Sequence, residues 1–244
     1  CNGATAQLGG APTASGTLPP YTYSWNPTTG LDNPALPNPT VTATSLVPVV
    51  YTVTVTDGRT CVAQKTVTVS TFPRTVVNAG SDKSICFGGN TLVGGTPTAS
   101  GGTPPYTYAW TPTTGLTDAT TANPTAAPTS NTTYIVAVTD ANNCVTRDTV
   151  TINIYPRATV NAGSDKAVCI GLSTGIGSTS VATGGTPPYT YLWTPATGLN
   201  SATLPNPIAT PTATTDYLLT VTDANSCQTR DTVRVTVNPL PTPT

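Results

Sequence analysis

Histidine and methionine are absent from this 244-residue chain, and charged residues make up only 8% of it. Without histidine, the chain lacks the side chain that most often serves as a general acid or base and as a metal ligand. A net charge of −1 supplies no basic surface for a phosphate backbone. We therefore expect no enzyme activity, no nucleic-acid partner, and neither a cofactor nor a metal ion.

The sequence also lacks an apolar run of about 18 residues, the length that spans a bilayer as a helix. It has no signal peptide, as expected of a mature or excised segment. Threonine is instead abundant, together with 25 prolines and 21 glycines. A composition rich in β-branched residues and poor in helix formers favours short strands joined by turns. These features predict an all-β protein without membrane insertion.

One aromatic strand occurs three times and organises the rest of the chain. Its second copy reads Pro-Pro-Tyr-Thr-Tyr-Ala-Trp, and each copy stands 24 residues after one cysteine and 34 to 36 residues before another. A tyrosine lies 10 residues ahead of each second cysteine. This agreement at a period of 83 to 85 residues predicts one module used three times. The aromatic residues that we expect in the module cores are Trp25, Trp110, Trp193, Tyr51, Tyr134 and Tyr217.

Short strand patterns and frequent turn signals in each copy predict three tandem immunoglobulin-like antiparallel β-sandwiches. The predicted modules are residues 1–73, 74–156 and 157–238, followed by a Pro/Thr-rich tail at 239–244. The segment Asn-Ala-Gly-Ser-Asp precedes Cys86 and Cys169 but not Cys1, so we expect the first module to lack its first strand. Short joints between the modules predict a stiff, elongated rod.

Six cysteines in a repeating frame are typical of disulfides formed in an oxidising compartment. A zinc site would need closer pairs and usually histidine. Because the spacing from each cysteine to its tryptophan is fixed, we expect one bridge within each module. Lipidation of the first cysteine is an alternative. The predicted bridges are Cys1–Cys61, Cys86–Cys144 and Cys169–Cys227.

Several of these motifs together resemble the PKD-like and related immunoglobulin-like repeats of large secreted surface proteins of Bacteroidota. They are Asn-Ala-Gly-Ser-Asp, the Tyr-x-Trp strand, Thr-Gly-Leu, Asn-Pro, and Tyr-x-Val-x-Val-Thr-Asp-Ala-Asn-x-Cys. The resemblance covers nearly the whole chain and implies an extracellular or cell-surface location with a spacer, stalk or fibre role. PKD domains often have an acidic Asp-Phe-Gly-Asp-Gly-like turn after their tryptophan, where this chain has Pro-Thr-Thr-Gly-Leu. No calcium or ligand site of the family is carried over.

Several residues allow two interpretations. Recurring aspartates near the hairpins and before the first cysteines fit turn caps, with calcium ligation as the alternative. The aromatic residues fit a core, with a sugar-binding platform as the alternative. Thr149 and Thr232 follow aspartate and precede valine, which resembles the O-glycosylation acceptor of Bacteroidota, whereas the first module has Lys65-Thr66-Val67 at that place. The recurring aspartates are Asp57, Asp140, Asp223, Asp82 and Asp165.

Near-identical copies in series favour a structural function, because a spacer needs length whereas an enzyme needs a single site. The first hypothesis is an extracellular stalk or a fibre-forming subunit, with copies of itself or adjoining repeats as partners. The second is an adhesin whose modules bind a glycan or a protein. The third is a non-catalytic region of a secreted polysaccharide-degrading enzyme. A first module without its edge strand also favours addition of a strand from outside.

Overall fold

A computed structural model describes residues 1–16 and 18–242 of the chain. All regular structure in these residues is β-strand, which confirms the all-β prediction. Among the described residues, no helix has the length and apolar character that crossing a membrane requires. The last two residues of the predicted tail lie outside the described part of the chain.

The first repeat contains a three-stranded sheet in the order β2-β4-β5 and a separate β1-β3 pair. All of these strand pairs are antiparallel. The strands are β1 (Ala4–Gln7), β2 (Thr22–Asn26), β3 (Thr40–Ala43), β4 (Val49–Thr56) and β5 (Val62–Val69).

The second repeat has eight strands. They are β6 (Thr75–Val77), β7 (Lys83–Cys86), β8 (Thr91–Leu92), β9 (Ala99–Gly101), β10 (Thr107–Thr111), β11 (Thr125–Ala126), β12 (Thr132–Thr139) and β13 (Val145–Tyr155). The main sheet has the order β10-β12-β13-β7, and β6-β9 and β8-β11 form two short pairs.

The third repeat has the same arrangement. Its strands are β14 (Ala158–Val160), β15 (Lys166–Cys169), β16 (Thr174–Gly175), β17 (Ala182–Gly184), β18 (Thr190–Thr194), β19 (Ile208–Ala209), β20 (Thr215–Thr222) and β21 (Gln228–Asn238). The main sheet has the order β15-β21-β20-β18, with β14-β17 and β16-β19 as the short pairs.

One pairing in each of these two repeats is parallel, which the sequence did not predict. Strand β15 runs parallel to the end of β21, with Cys169 opposite Asn238, and β7 runs parallel to the end of β13, with Cys86 opposite Tyr155. Hence the segment before each of these cysteines forms two strands: a short one in a separate pair, and a second one beside the last strand of its own repeat.

The tryptophan strand lies at one edge of each main sheet, and its indole is buried. Trp110 and Trp193 are both 1% exposed, and Trp25 is 3% exposed. Each indole N–H donates to a backbone carbonyl 11 residues further along the chain, at 3.0 Å. Because the N–H is satisfied, the ring can be buried without an unpaired donor.

The chain divides into two compact units whose boundaries fall inside the second repeat. The first unit comprises Cys1–Ser81, Leu92–Thr125 and Tyr134–Val150, and the second comprises Asp82–Thr91, Ala126–Thr133 and Thr151–Thr244. The three-module division at residues 73, 156 and 238 therefore stays a prediction drawn from the repeat.

Candidate functional site: the disulfides and the open face of the first repeat

The structure contains two disulfides, and both join one repeat to the next. Cys1 is bonded to Cys144, with a Cα–Cα distance of 5.6 Å, and Cys86 is bonded to Cys227, with a Cα–Cα distance of 5.5 Å. Cys61 and Cys169 are unpaired. The predicted bridges Cys1–Cys61, Cys86–Cys144 and Cys169–Cys227 are therefore wrong. Each bond instead joins the first cysteine of one repeat to the second cysteine of the following repeat.

The parallel pairing explains this correction. In the third repeat, Cys227 comes directly before β21, whereas Cys169 lies opposite Asn238 at the other end of that strand. A strand of 11 residues spans about 36 Å. Disulfide bonding needs Cα atoms within about 7 Å. The two cysteines of one repeat therefore lie at opposite ends of its last strand and are too far apart to bond.

The second cysteine of each repeat is fixed by a hairpin turn. Cys144 donates its N–H to the Asp140 carboxylate at 2.9 Å, and Asp140 donates its own N–H to the Cys144 carbonyl at 3.1 Å. The other Asp140 oxygen accepts the N–H of Thr103 at 3.1 Å. Burial would raise the pKa of Asp140, but these backbone hydrogen bonds hold its pKa below the ordinary value of 3.8. The turn therefore needs an ionised aspartate.

The remaining recurring aspartates also accept backbone N–H groups. Asp57 and Asp223 cap their hairpins as Asp140 does. Asp82 and Asp165 instead accept from the last strand of their own repeat, at Thr151 and Arg234. No group of three or more potential ligands that could hold a metal ion occurs among the described residues. Hydrogen bonding within the chain accounts for these carboxylates.

The three recurring tyrosines are buried and fasten the loop that follows the tryptophan strand. Tyr134 and Tyr217 are fully buried, and Tyr51 is 4% exposed. Their hydroxyls donate to backbone carbonyls of the Thr-Gly loops, at Thr114, Thr197 and Thr29 respectively. Burial raises the pKa of Tyr134 and of Tyr217. Neither these rings nor the tryptophans offer an exposed face on which a sugar could stack.

The aspartate of each Asp-Thr-Val motif has a structural contact. Asp148 accepts the N–H of Ala79 at 2.9 Å, and Asp231 accepts the N–H of Ala162 at 2.8 Å. In both cases the donor belongs to the segment before the first cysteine of that repeat. The adjacent Thr149 and Thr232 are exposed. The aspartate thus holds the first segment in place, and the threonine beside it is accessible to modification.

The last strand of the first repeat has an open face. All residues of β5 except the last are exposed. Its Val67 is 37% exposed, whereas the equivalent Val150 and Val233 are 1% and 0% exposed. A cleft of about 830 Å³ lies along this strand and reaches Trp25, Ala14 and Cys61.

In the third repeat, the same place is filled by the segment before Cys169. Strand β14 pairs with β17, and Ala162, which follows β14, is completely buried. Ala162 packs in one cluster with Trp193 and Val233. The open cleft is therefore the seat of a first strand that the described part of the first repeat does not contain.

Comparison with known families gives one match. A family model described as the SprB repeat matches residues 167–198, which run from the strand before Cys169 to the loop after Trp193. Residues 84–115 are the corresponding part of the second repeat. No curated protein matches the chain.

Solved structures with several extracellular or muscle immunoglobulin domains resemble the chain weakly. The I67–I69 fragment of titin is 11% identical with a TM-score of 0.42, covering 97% of this chain and 94% of that chain. The eight N-terminal immunoglobulin domains of Down Syndrome Cell Adhesion Molecule are 14% identical with a TM-score of 0.45, covering 97% and 35%. With TM-scores below 0.5, these likenesses support no statement about the fold or function of this chain.

Proposed function

We propose that this chain is a structural part of an extracellular bacterial stalk or surface fibre, built from repeats that are bonded covalently across their joints. The observation that carries the proposal is the stagger of the disulfides. Each bridge connects the first cysteine of one repeat to the second cysteine of the next. Such a bridge adds a covalent connection to the backbone joint between consecutive repeats.

The stagger has a mechanical consequence. When the chain is pulled from its ends, a joint held by the backbone alone transmits the whole force to the first and last strands of each repeat. A disulfide between consecutive repeats confines the extension to the chain outside the bridged loop, which here spans 143 or 141 residues. The bridged residues cannot be drawn out while the bond is intact. This property suits a load-bearing spacer and has no evident use in a catalyst.

The match to the SprB repeat and the disulfides support an extracellular location, because structural disulfides form and persist in oxidising compartments. We further propose that Thr149 and Thr232 carry O-linked sugar. Both are exposed, and only 8% of the chain is charged, so attached sugars would supply hydration. The native protein should then weigh more than 24.7 kDa. A native mass equal to the bare chain would refute the modification.

Force spectroscopy on the full chain tests the load-bearing function. Under oxidising conditions we expect unfolding to release only a short length of chain from the bridged residues. Reductant should release the additional length enclosed by the two bridges. Equal extension with and without reductant would contradict the proposal. A glycan array with the same protein tests the adhesin alternative, which predicts binding that the stalk function does not require.

A further inference from the structure

The unpaired Cys61 has the backbone geometry of a bonded second cysteine. Its N–H donates to the Asp57 carboxylate at 2.9 Å, and Asp57 donates its N–H to the Cys61 carbonyl at 3.0 Å. Cys144 and Cys227 make the same two bonds with their own hairpin aspartates. Cys61 is exposed. Its turn is therefore formed as in the other two repeats, but without the first cysteine of another repeat beside it.

The unpaired Cys169 has the matching geometry of a bonded first cysteine. The next residue, Ile170, donates its N–H to the carbonyl of Asn238 at 2.9 Å, where the last strand ends. At the bonded Cys86, Phe87 donates in the same way to Tyr155 at 3.2 Å. Cys169 is partly exposed. The chain thus carries one unused half of its disulfide motif in the first repeat and the complementary half in the third.

The open face of the first repeat lies beside Cys61, and the cleft along it is lined by that cysteine. The buried Tyr21 hydroxyl at this cleft has no hydrogen-bond partner among the described residues. In the complete repeats, the equivalent Tyr106 and Tyr189 donate to carbonyls of β9 and β17, the strands that pair with the first strand. An incoming strand would order the corresponding segment near Gly16 and restore that acceptor.

The C-terminal tail has the sequence to supply this strand. Counting from the residue opposite the first cysteine, Asn238 corresponds to Tyr155, and Pro241 and Thr242 correspond to Ala158 and Thr159 of β14. The tail therefore reaches the first-strand position at the same distance from Cys169 as β14 does from Cys86.

The alternation of proline in the tail fits the hydrogen bonding of that strand. Asn161 donates its N–H to Val181 across the pair, so Thr159, two residues earlier, also directs its N–H toward β17. Ala158 and Val160 direct theirs away. Prolines at 241 and 243 fall on the positions whose N–H is not used, whereas Thr242 keeps the N–H that the pairing needs.

We propose that Cys169 of one copy forms a disulfide with Cys61 of a second copy, while residues 240–242 of the first copy occupy the open face of the second. This inference rests on the proposed fibre function and names the fibre's partner as the chain itself. Two thiols lose their protons and two electrons as the S–S bond forms. A disulfide oxidant such as oxidised glutathione takes up these electrons and protons and becomes two thiols. Repetition of this heterologous contact builds an open filament.

A complementation experiment tests the bond. Concentrated protein treated with oxidised glutathione should give a ladder of reductant-sensitive oligomers, and peptide mapping should find Cys61 linked to Cys169. Neither Cys61→Ser nor Cys169→Ser alone should form a ladder. An equal mixture of the two variants should form linked dimers and nothing larger, because it contains a single compatible pair. Cys61–Cys61 or Cys169–Cys169 bonds as the main products, or no oligomers from the unaltered protein, would overturn the proposal.

The tail is tested with a matched pair of substitutions. Thr242→Pro removes the N–H that the strand pairing needs, so linking should slow about fivefold, as expected for the loss of one hydrogen bond. Thr242→Val keeps the N–H and the branched side chain and should link at the original rate. Equal rates for both variants would refute the role of the tail. If linking fails while reductant still increases the extension under force, the inference fails and the proposed stalk function stands.

Discussion

The first and third repeats share a sequence pattern but differ in how much of that pattern is buried. In the third repeat, Trp193, Leu219 and Val233 pack together with Ala162 from the segment before the first cysteine. In the first repeat, the buried cluster comprises Leu8, Trp25, Val41, Tyr51 and Val53 and contains no residue of β5. The difference shows that the segment before the first cysteine converts one face of the last strand into core.

The largest expected effect concerns the disulfides. Cys227→Ser removes the bridge to Cys86, which closes a sequence separation of 141 residues. In the chain-entropy model, such a loop contributes on the order of 5 kcal/mol to the free energy of unfolding. Denaturant unfolding should show a loss of this size. Cys169→Ser is the matched control, because it removes an unpaired cysteine of the same repeat and should leave unfolding unchanged. Similar unfolding of both variants would contradict the bond between Cys86 and Cys227.

The second expected effect tests the buried face directly. Val233→Ala leaves a cavity at a completely buried position and should lower the free energy of unfolding by about 2 kcal/mol. Val67→Ala, the same substitution at the equivalent position of the first repeat, should cost less than about 1 kcal/mol because that side chain is 37% exposed. Denaturant titrations of the two variants compare the faces. Equal losses would show that the first repeat is closed in solution.

The sequence predicted the strands, the repeat and the identity of the buried aromatic residues from local patterns. The disulfide pairing could not be predicted in the same way. Spacing from Cys169 to Trp193 shows that each repeat has the same register, but it does not show at which end of the last strand the cysteine lies. That position depends on the parallel pairing of β15 with β21, which joins segments almost 70 residues apart.

The role of the Asp-Thr-Val aspartates was missed for a related reason. Asp231 contacts Ala162, which is 69 residues earlier in the chain, and no local rule connects the two. One signal was present: the first repeat has Lys65 in place of this aspartate, and it also lacks the Asn-Ala-Gly-Ser-Asp segment. The joint absence of both motifs indicates that they interact.

The third prediction uses this joint absence. Asp231→Ala leaves the Ala162 N–H without its acceptor and should cost about 1 to 2 kcal/mol, with faster hydrogen exchange at that amide. Lys65→Ala in the first repeat removes no such contact and should change stability by less than about 0.5 kcal/mol. Hydrogen exchange measured by mass spectrometry, together with denaturant unfolding, checks both. Unchanged protection of the Ala162 amide in Asp231→Ala would contradict the assigned contact.

The fourth prediction concerns acid. Because the pKa of Asp140 is lower in the folded chain than its ordinary value of 3.8, its contribution to stability is complete above that value. The contribution is lost as the pH falls below about 3.8 toward the folded-state pKa. Asp140→Asn should therefore be less stable at neutral pH and should lose less stability between pH 5 and 3. Melting temperatures across this range provide the measurement, and parallel curves for the two proteins would contradict the role of the ionised carboxylate.

The smallest expected effect is a gain in the first repeat. The residue before each second cysteine has a positive φ, 59° at Asn143, 64° at Ser226 and 67° at Thr60. Asparagine tolerates this left-handed conformation, whereas a β-branched threonine is strained in it. Thr60→Asn should therefore stabilise the first repeat by about 0.5 to 1 kcal/mol. The reverse change, Asn143→Thr, should destabilise the second repeat by a similar amount. Denaturant unfolding of both variants tests the pair, and a loss of stability in Thr60→Asn would show that the first hairpin differs from the other two.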